Sequence, residues 1–325
     1  MSVLVTGGSG YIGAHLVGLL RGRGEDVVVI DDGETGFRER IPGVDARTLD
    51  LAEAGAVAAL RALMAEREVE SVVHFAARKQ VPESIAKPAW YYAQNVGGLA
   101  NLLLAMEQAG VRRIVFSSSA AVYGDVRAAS VDEDHPCAPM NPYGATKLAG
   151  EQLIDAVVRS GALDAVSLRY FNVAGCGEPE LVDRLALNLV PMVFERLARG
   201  ERPLVFGDDY PTPDGSCVRD FIHVVDLAEA HLAALDRLRA GGAGHLIANV
   251  GTGRGYSVLE TIAAIGRATG LDAAPEIRPR REGDPAAVVA DASRIERELG
   301  WRASRGLDDM VASAWAGYRS VVLGA

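Results

Sequence analysis

The stretch Ser2-Val3-Leu4-Val5-Thr6-Gly7-Gly8-Ser9-Gly10-Tyr11-Ile12-Gly13 decides the fold. A short apolar run ends in glycines, and His15, Leu16, Leu19 and Leu20 then recur at helical spacing, so the segment reads as strand, tight turn, helix. The glycines fit G-x-G-x-x-G counted from Gly8 and G-x-x-G-x-x-G counted from Gly7. Such a turn lets backbone N–H groups approach a pyrophosphate at a helix N-terminus. A second strand over 27–30 closes on Asp31-Asp32. Asp31 falls where an acid accepts from an adenosine ribose 2′-OH and repels a 2′-phosphate, which predicts NAD rather than NADP.

Strands are expected next at 46–49, 71–75 and 113–117, with apolar-periodic helices at 54–67 and 90–108 between them. That alternation predicts an α/β fold with a doubly wound parallel Rossmann sheet. Asp50 ends the third strand, where it can accept from an adenine amino group. Phe75-Ala76-Ala77 end the fourth with small residues that permit close approach of a cofactor. Two readings of Lys79 stand: a phosphate or ribose ligand, or a surface charge. The alternation fails after Arg169-Tyr170-Phe171-Asn172, which sets a boundary near 175. Residues 1–175 are expected to form the NAD-binding domain, and 176–325 a smaller mixed α/β domain for substrate.

The chain has 325 residues, 49% of them hydrophobic, and a formal net charge of −10. That length allows a large core and two domains. The charge disfavours nucleic acid and anionic membrane surfaces, and no run of about eighteen apolar residues suggests a membrane span. Cys137, Cys176 and Cys217 show neither metal spacing nor a disulfide framework, so no metal is expected. With no secretory leader pattern in view, a reducing, cytoplasmic setting is the expectation.

Asn141-Pro142-Tyr143-Gly144-Ala145-Thr146-Lys147 points to the chemistry. On a helix Tyr143 and Lys147 share a face, one turn apart. An ammonium beside a phenol favours phenolate, and a phenolate near neutrality is a general base for a sugar hydroxyl. Upstream, the strand at 114–116 runs into Ser117-Ser118-Ser119, whose hydroxyls reach the ligand crevice at the carboxyl edge of the sheet. Ser119 is the candidate to hydrogen-bond the hydroxyl that Tyr143 attacks.

Together the runs T-G-G-S-G-Y-I-G at 6–13, H-F-A-A at 74–77, S-S-S-A-A-V-Y-G at 117–124, N-P-Y-G-A-T-K at 141–147 and R-Y-F-N at 169–172 resemble the extended short-chain dehydrogenase/reductase family. Within it, the chain looks most like the UDP-glucose 4-epimerase group. V-P-E-S-I-A-K-P at 81–88, F-G-D-D-Y-P-T-P-D-G at 206–215, V-R-D-F-I-H-V-V-D-L-A at 218–228 and P-R-R-E-G-D at 279–284 extend the match. The resemblance implies NAD-dependent epimerisation at C4 of a UDP-sugar, with Tyr143 as base, Lys147 lowering its pKa and Ser119 steadying the sugar oxygen. For the cofactor it implies Gly7, Gly10, Tyr11, Ile12, Gly13, Asp31, Asp50, Leu51, Phe75, Ala76, Ala77, Lys79, Asn95, Ser117, Tyr143, Lys147 and Phe171. For the substrate it implies Asn172 and Asn188 near the diphosphate, Leu204 and Phe206 at uracil, Arg219 and Arg281 on phosphate, and Asp284 on the ribose. Periodicity reads 204–206 equally as an ordinary hairpin strand, and the acids beside both arginines equally allow surface salt bridges. The resemblance further implies that segment 220–252 packs back on the first domain. It also implies a homodimer pairing the helix of Leu99, Leu102, Leu103 and Met106 with that of Leu148, Leu153 and Val157.

One exclusion and two departures bear on the outcome. Related dehydratases carry an Asp-Glu pair after the serine equivalent, and related decarboxylases a Glu. Ala120-Ala121 stand here, so elimination has no local proton carrier. The loop from Val173 to Leu187 is shorter than in familiar members of the group. Val288 stands where many carry a tyrosine, which leaves room beside the sugar C2 and suggests N-acetylated UDP-hexoses as further substrates. UDP-uronic acids, and an NAD-linked oxidoreductase that releases its keto product, stay open.

Overall fold

Seven strands form one mainly parallel sheet: β1 Ser2–Thr6, β2 Asp26–Asp31, β3 Asp45–Thr48, β4 Val69–His74, β5 Arg113–Ser119, β6 Asp164–Tyr170 and β7 His245–Val250. Their order is β7-β6-β5-β4-β1-β2-β3. β1 pairs in parallel with both β2 and β4, and β2–β3 and β4–β5 are also parallel. All five residues of β1 are buried, as expected where helices cover both faces. This is the α/β Rossmann-like architecture that the alternation predicts. The computed structural model describes residues 1–126, 128, 130–281 and 284–324. Glu282 and Gly283 of the 279–284 run lie outside the described residues.

Helices α1 Tyr11–Gly22, α2 Ala56–Glu66, α3 Gly98–Ala109, α4 Pro142–Arg159 and α5 Val224–Arg239 follow strands in the expected alternation. One core joins Leu4, Val28, Val72 and Ile114 of the strands to Leu60, Met64, Leu99, Leu102 and Met106 of α2 and α3. Burying each such leucine contributes about 1.5–3 kcal/mol. The helix expected over 90–108 is not one α-helix. Pro88–Tyr92 is helical, Ala93–Gly97 widens to a π-helix, and α3 begins at Gly98.

The described chain divides into two compact units. The first comprises Met1–Gly124, Pro136–Arg169 and Ala228–Ala248; the second comprises Asp125–His135, Tyr170–Leu227 and Asn249–Ala325. Residues 125–135 and 170–175, expected in the first domain, thus cluster with the second. The second unit has a sheet in which Val218–His223 pairs with Asn172–Ala174, Gly255–Ser257 and Ala287–Val288, and a separate parallel pair, Leu204–Phe206 with Glu276–Arg278. Its own core joins Phe194, Phe221, Ile262, Met310 and Tyr318.

Candidate active site

In the first unit, α1 starts at the glycine turn. Gly10 is its N-cap, no side chain caps it, and the first turn holds no acid. The amides there are left for an anion, on the positive end of the helix dipole. Gly7 has φ of 70°, and a Cβ on it would come 2.7 Å from the Ala76 nitrogen. A Cβ on Gly13 would lie 2.3 Å from the Gly7 carbonyl oxygen. Both glycines are therefore steric requirements of the cradle. Asp31 ends β2, and its carboxylate accepts from the Ser9 N–H at 3.1 Å and the Gly33 N–H at 2.9 Å. Tyr11 is buried and Ile12 half-buried in the first helical turn. This donor set, cradle and acid fit NAD.

The remaining cofactor candidates ring the same edge. Asp50 accepts from the Ala52 N–H at 2.8 Å and from Gln94 Nε2 at 3.0 Å. Leu51 is buried below it, and its carbonyl accepts from Asn101 at 2.8 Å. The Phe75 amide donates to Thr6 at 2.9 Å, Ala76 and Ala77 are half-buried, and Lys79 is exposed. Lys79 has no hydrogen-bond or ion-pair partner among the described residues, which leaves both its readings standing. Asn95 sits in the π-helical segment with its amide fully used. Its oxygen accepts from the Arg78 N–H at 2.8 Å, and its nitrogen donates to the Arg78 carbonyl and to Thr146 Oγ1, both at 3.0 Å. A π-bulge of this kind is a common mark of a functional site.

Asn141 caps α4 by accepting from the Gly144 N–H at 2.9 Å, and Pro142 takes the first helical position. Tyr143 is thereby fixed at the helix start. Gly144 lets α4 approach the turn that follows β5, since a Cβ there would lie 2.5 Å from the Ala121 carbonyl oxygen. Ser119 Oγ accepts from the Ala121 N–H at 3.2 Å and lies near enough to the Tyr143 phenol to favour its ionised form. Lys147 is buried; its Nζ donates to the Ser117 carbonyl at 2.8 Å and lies 5.1 Å from the centre of the Phe116 ring.

One expectation is corrected here. Burial pushes the Tyr143 phenol above its ordinary value, the Ser119 hydrogen bond opposes this, and Lys147 is not among the causes. The ammonium is aimed at a carbonyl instead. Burial also brings Lys147 itself down to about 8, with the Glu151 carboxylate opposing.

Sequence reasoning missed the groups that hold this set in place. Thr146 links Asn95 to the helix by donating to the Tyr143 carbonyl at 2.7 Å. Glu151, one turn past Lys147, is buried against Arg169, with contacts of 2.6 and 2.9 Å, and it accepts from Ser118. Arg169 also donates to the Tyr123 hydroxyl at 3.0 Å. His231 of α5 meets Ser117 Oγ at 2.9 Å and lies against the Phe75 ring. His74, 2.7 Å from Thr6 Oγ1, is kept neutral, since burial and the nearby Lys147 take it down to about 3. The one available signal was the spacing of Glu151 from Lys147 on the α4 face.

In the second unit, Phe171 is buried, and its N–H donates to the Val250 carbonyl. Asn172 is exposed at the start of a strand. Asn188 is the N-cap of helix Leu189–Ala198, but its side chain donates to Asp183 at 2.8 Å rather than capping. Leu204 and Phe206 lie on a strand whose partner is parallel, so the hairpin reading is excluded. Arg281 is exposed and stacks on the Phe206 ring, 3.7 Å from its centre. Arg219 donates to the Val218 and Pro285 carbonyls at 2.9 and 2.8 Å and lies 3.7 Å from the Asp284 carboxylate. Val288 pairs beside Arg219 and is half-buried.

Among the described residues no cluster of His, Cys, Asp or Glu could hold a metal ion, and no helix is long and apolar enough to cross a membrane. The expected dimer-face residues Leu99, Leu102, Leu103 and Met106 are buried in their own unit's core, where Leu153 and Val157 also pack. Residues 3–251 match the family model described as the NAD dependent epimerase/dehydratase family. The UDP-glucose 4-epimerase of Corynebacterium glutamicum is 43% identical over 97% of this chain and 95% of its own length. A crystal structure of UDP-glucose-4-epimerase from Stenotrophomonas maltophila with bound NAD and formylated UDP-arabinopyranose superposes with a TM-score of 0.94, at 41% identity and full coverage of both chains. The UDP-Glc/GlcNAc 4-epimerase of Campylobacter jejuni has a TM-score of 0.84 at 37% identity, covering 98% of this chain and 99% of that one.

Proposed function

On the premise that this chain belongs to the NAD dependent epimerase/dehydratase family, we propose that it inverts C4 of a UDP-hexose. UDP-glucose and UDP-galactose would interconvert through a transient 4-keto sugar. The observation that carries the reading is the buried Tyr143 phenol with Ser119 acting on it at the sheet edge that holds the glycine turn, with Ala120-Ala121 and no acid pair beside it. NAD, when bound, would supply the acceptor and then the donor of the C4 hydrogen. Tyr143 takes the 4-OH proton and later returns it. Ser119 donates toward the phenol oxygen, which favours its ionised form. Lys147 keeps an ammonium fixed by the Ser117 carbonyl.

Arg219, Arg281, Asn172 and Asn188 are assigned to the diphosphate, Leu204 and Phe206 to uracil, and Asp284 to the ribose. Arginine forks suit phosphate oxygens, and a chain of net charge −10 needs such local cations. The first unit is assigned to NAD and the second to the nucleotide sugar. The working form is assigned as a homodimer, which light scattering checks, and the cytoplasm as its compartment. The short Val288 side chain favours a second reading, in which N-acetylated UDP-hexoses also react; the Campylobacter jejuni relative carries both sugars in its name. Incubating purified protein separately with UDP-glucose, UDP-galactose and UDP-N-acetylglucosamine, then separating the C4 epimers, tests both readings. UDP-glucose and UDP-galactose should approach one common mixture without build-up of NADH. A keto product with accumulating NADH would mean an oxidoreductase instead. No epimer of the N-acetyl sugar would remove the second reading.

A further inference from the structure

Arg78 and Asp32 take no part in the chemistry above. Their guanidinium and carboxylate meet at 2.6 Å, with 15% and 30% of the side chains exposed. The topology says what this pair crosses. Thr6, the last residue of β1, is paired with Ile30 of β2 on one side and His74 of β4 on the other. Gly7 then begins the glycine turn, while Asp32 directly follows β2 and Arg78 lies four residues past the end of β4. A bond from 78 to 32 therefore passes over the carboxyl end of β1. The span is two strand spacings, about 10 Å.

The arginine is braced along its length. Its Nε and Nη2 donate to Gln94 Oε1 at 3.2 and 3.0 Å, and its guanidinium lies 5.2 Å from the centre of the Trp90 ring. The Asn95 amide clamps the Arg78 backbone. At the other end, the second Asp32 oxygen accepts from the Glu34 N–H at 3.0 Å. Gln94 carries the line on by donating to Asp50 at 3.0 Å. The line Asp32, Arg78, Gln94, Asp50 thus ties together the carboxyl ends of β2, β4 and β3. That edge of an open parallel sheet is where a dinucleotide lies. Arginine suits the task, because one planar fork serves a carboxylate and an amide at once.

We propose that the Arg78–Asp32 ion pair, backed by Gln94 and Asp50, is a strap across the glycine turn that slows the exit of the bound dinucleotide. The proposal rests on the dinucleotide reading of the first unit and adds positioning residues to it. A redox cycle that restores its own cofactor gains from such a device, since it never exchanges NAD during turnover.

The test is the release rate of dinucleotide from the purified, loaded protein, chased with excess fluorescent etheno-NAD, for the parent, Asp32→Asn, Arg78→Met and the double variant. Each single substitution should speed release about three- to tenfold, as expected for an ion pair at the upper end of the partly exposed range. The double variant should release no faster than either single one, because one broken link leaves nothing for the second to break. Unchanged release in both single variants overturns the strap. So does faster release in Arg78→Met with unchanged or slower release in Asp32→Asn, which would mean that Arg78 holds the cofactor directly. Parent protein that carries no dinucleotide and takes none up overturns the underlying reading and the strap with it.

Discussion

In the first unit the groups proposed for the chemistry and the cofactor are already engaged: Tyr143 is buried, Lys147 is buried on the Ser117 carbonyl, and the Asn95 amide is bonded to Arg78 and Thr146. In the second unit Asn172 and Arg281 are exposed, and Arg281 rests on the Phe206 ring. Asn188 holds Asp183, and Arg219 holds carbonyls of its own sheet. The difference fits the role proposed for each set. A proton and a hydrogen must move between atoms placed in advance, so reorganisation has to be finished before substrate arrives. Groups that grip a diphosphate can exchange weak internal contacts for stronger charged ones when it binds.

The contrast can be broken at either end. Tyr143→Phe removes the proton carrier and leaves the ring, so turnover should fall roughly 10²–10⁴-fold while UDP binding by calorimetry stays unchanged. Retained turnover would take the base role from Tyr143. Next in size is Glu151→Gln, which leaves Arg169 buried without its charge partner and should cost about 3–5 kcal/mol in urea unfolding. A loss no larger than that of an exposed substitution would mean that the α4 scaffold is less rigid than its geometry says. Smallest is Arg281→Ala, expected to raise KM about ten- to hundredfold, the worth of a charged hydrogen bond, with little change in kcat or stability. A fall in kcat alone would place Arg281 with the chemistry and erase the distinction between the units.

What was legible in the sequence was local. The glycine turn and Asp31 lie within one strand–turn–helix–strand unit and the Tyr143–Lys147 spacing within one helical turn, so residue type and spacing suffice to see them. Glu151 with Arg169, Asn95 with Arg78 and Thr146, and His231 with Ser117 were not legible, because their partners come from distant elements. The π-helical segment hid because one widened turn barely disturbs an apolar period. For a related reason the place of Leu99 and Leu102 in their own unit's core was not legible, since periodicity shows that a stripe is covered but not by what. The pKa of Tyr143 was misjudged because spacing put Lys147 on the right face without saying where its ammonium points.

The central claim is that hydrogen taken from C4 goes back to C4. UDP-glucose carrying deuterium at C4, turned over in ordinary water, tests it most directly. The account predicts UDP-galactose that keeps its deuterium at C4; loss of the label to solvent would contradict it.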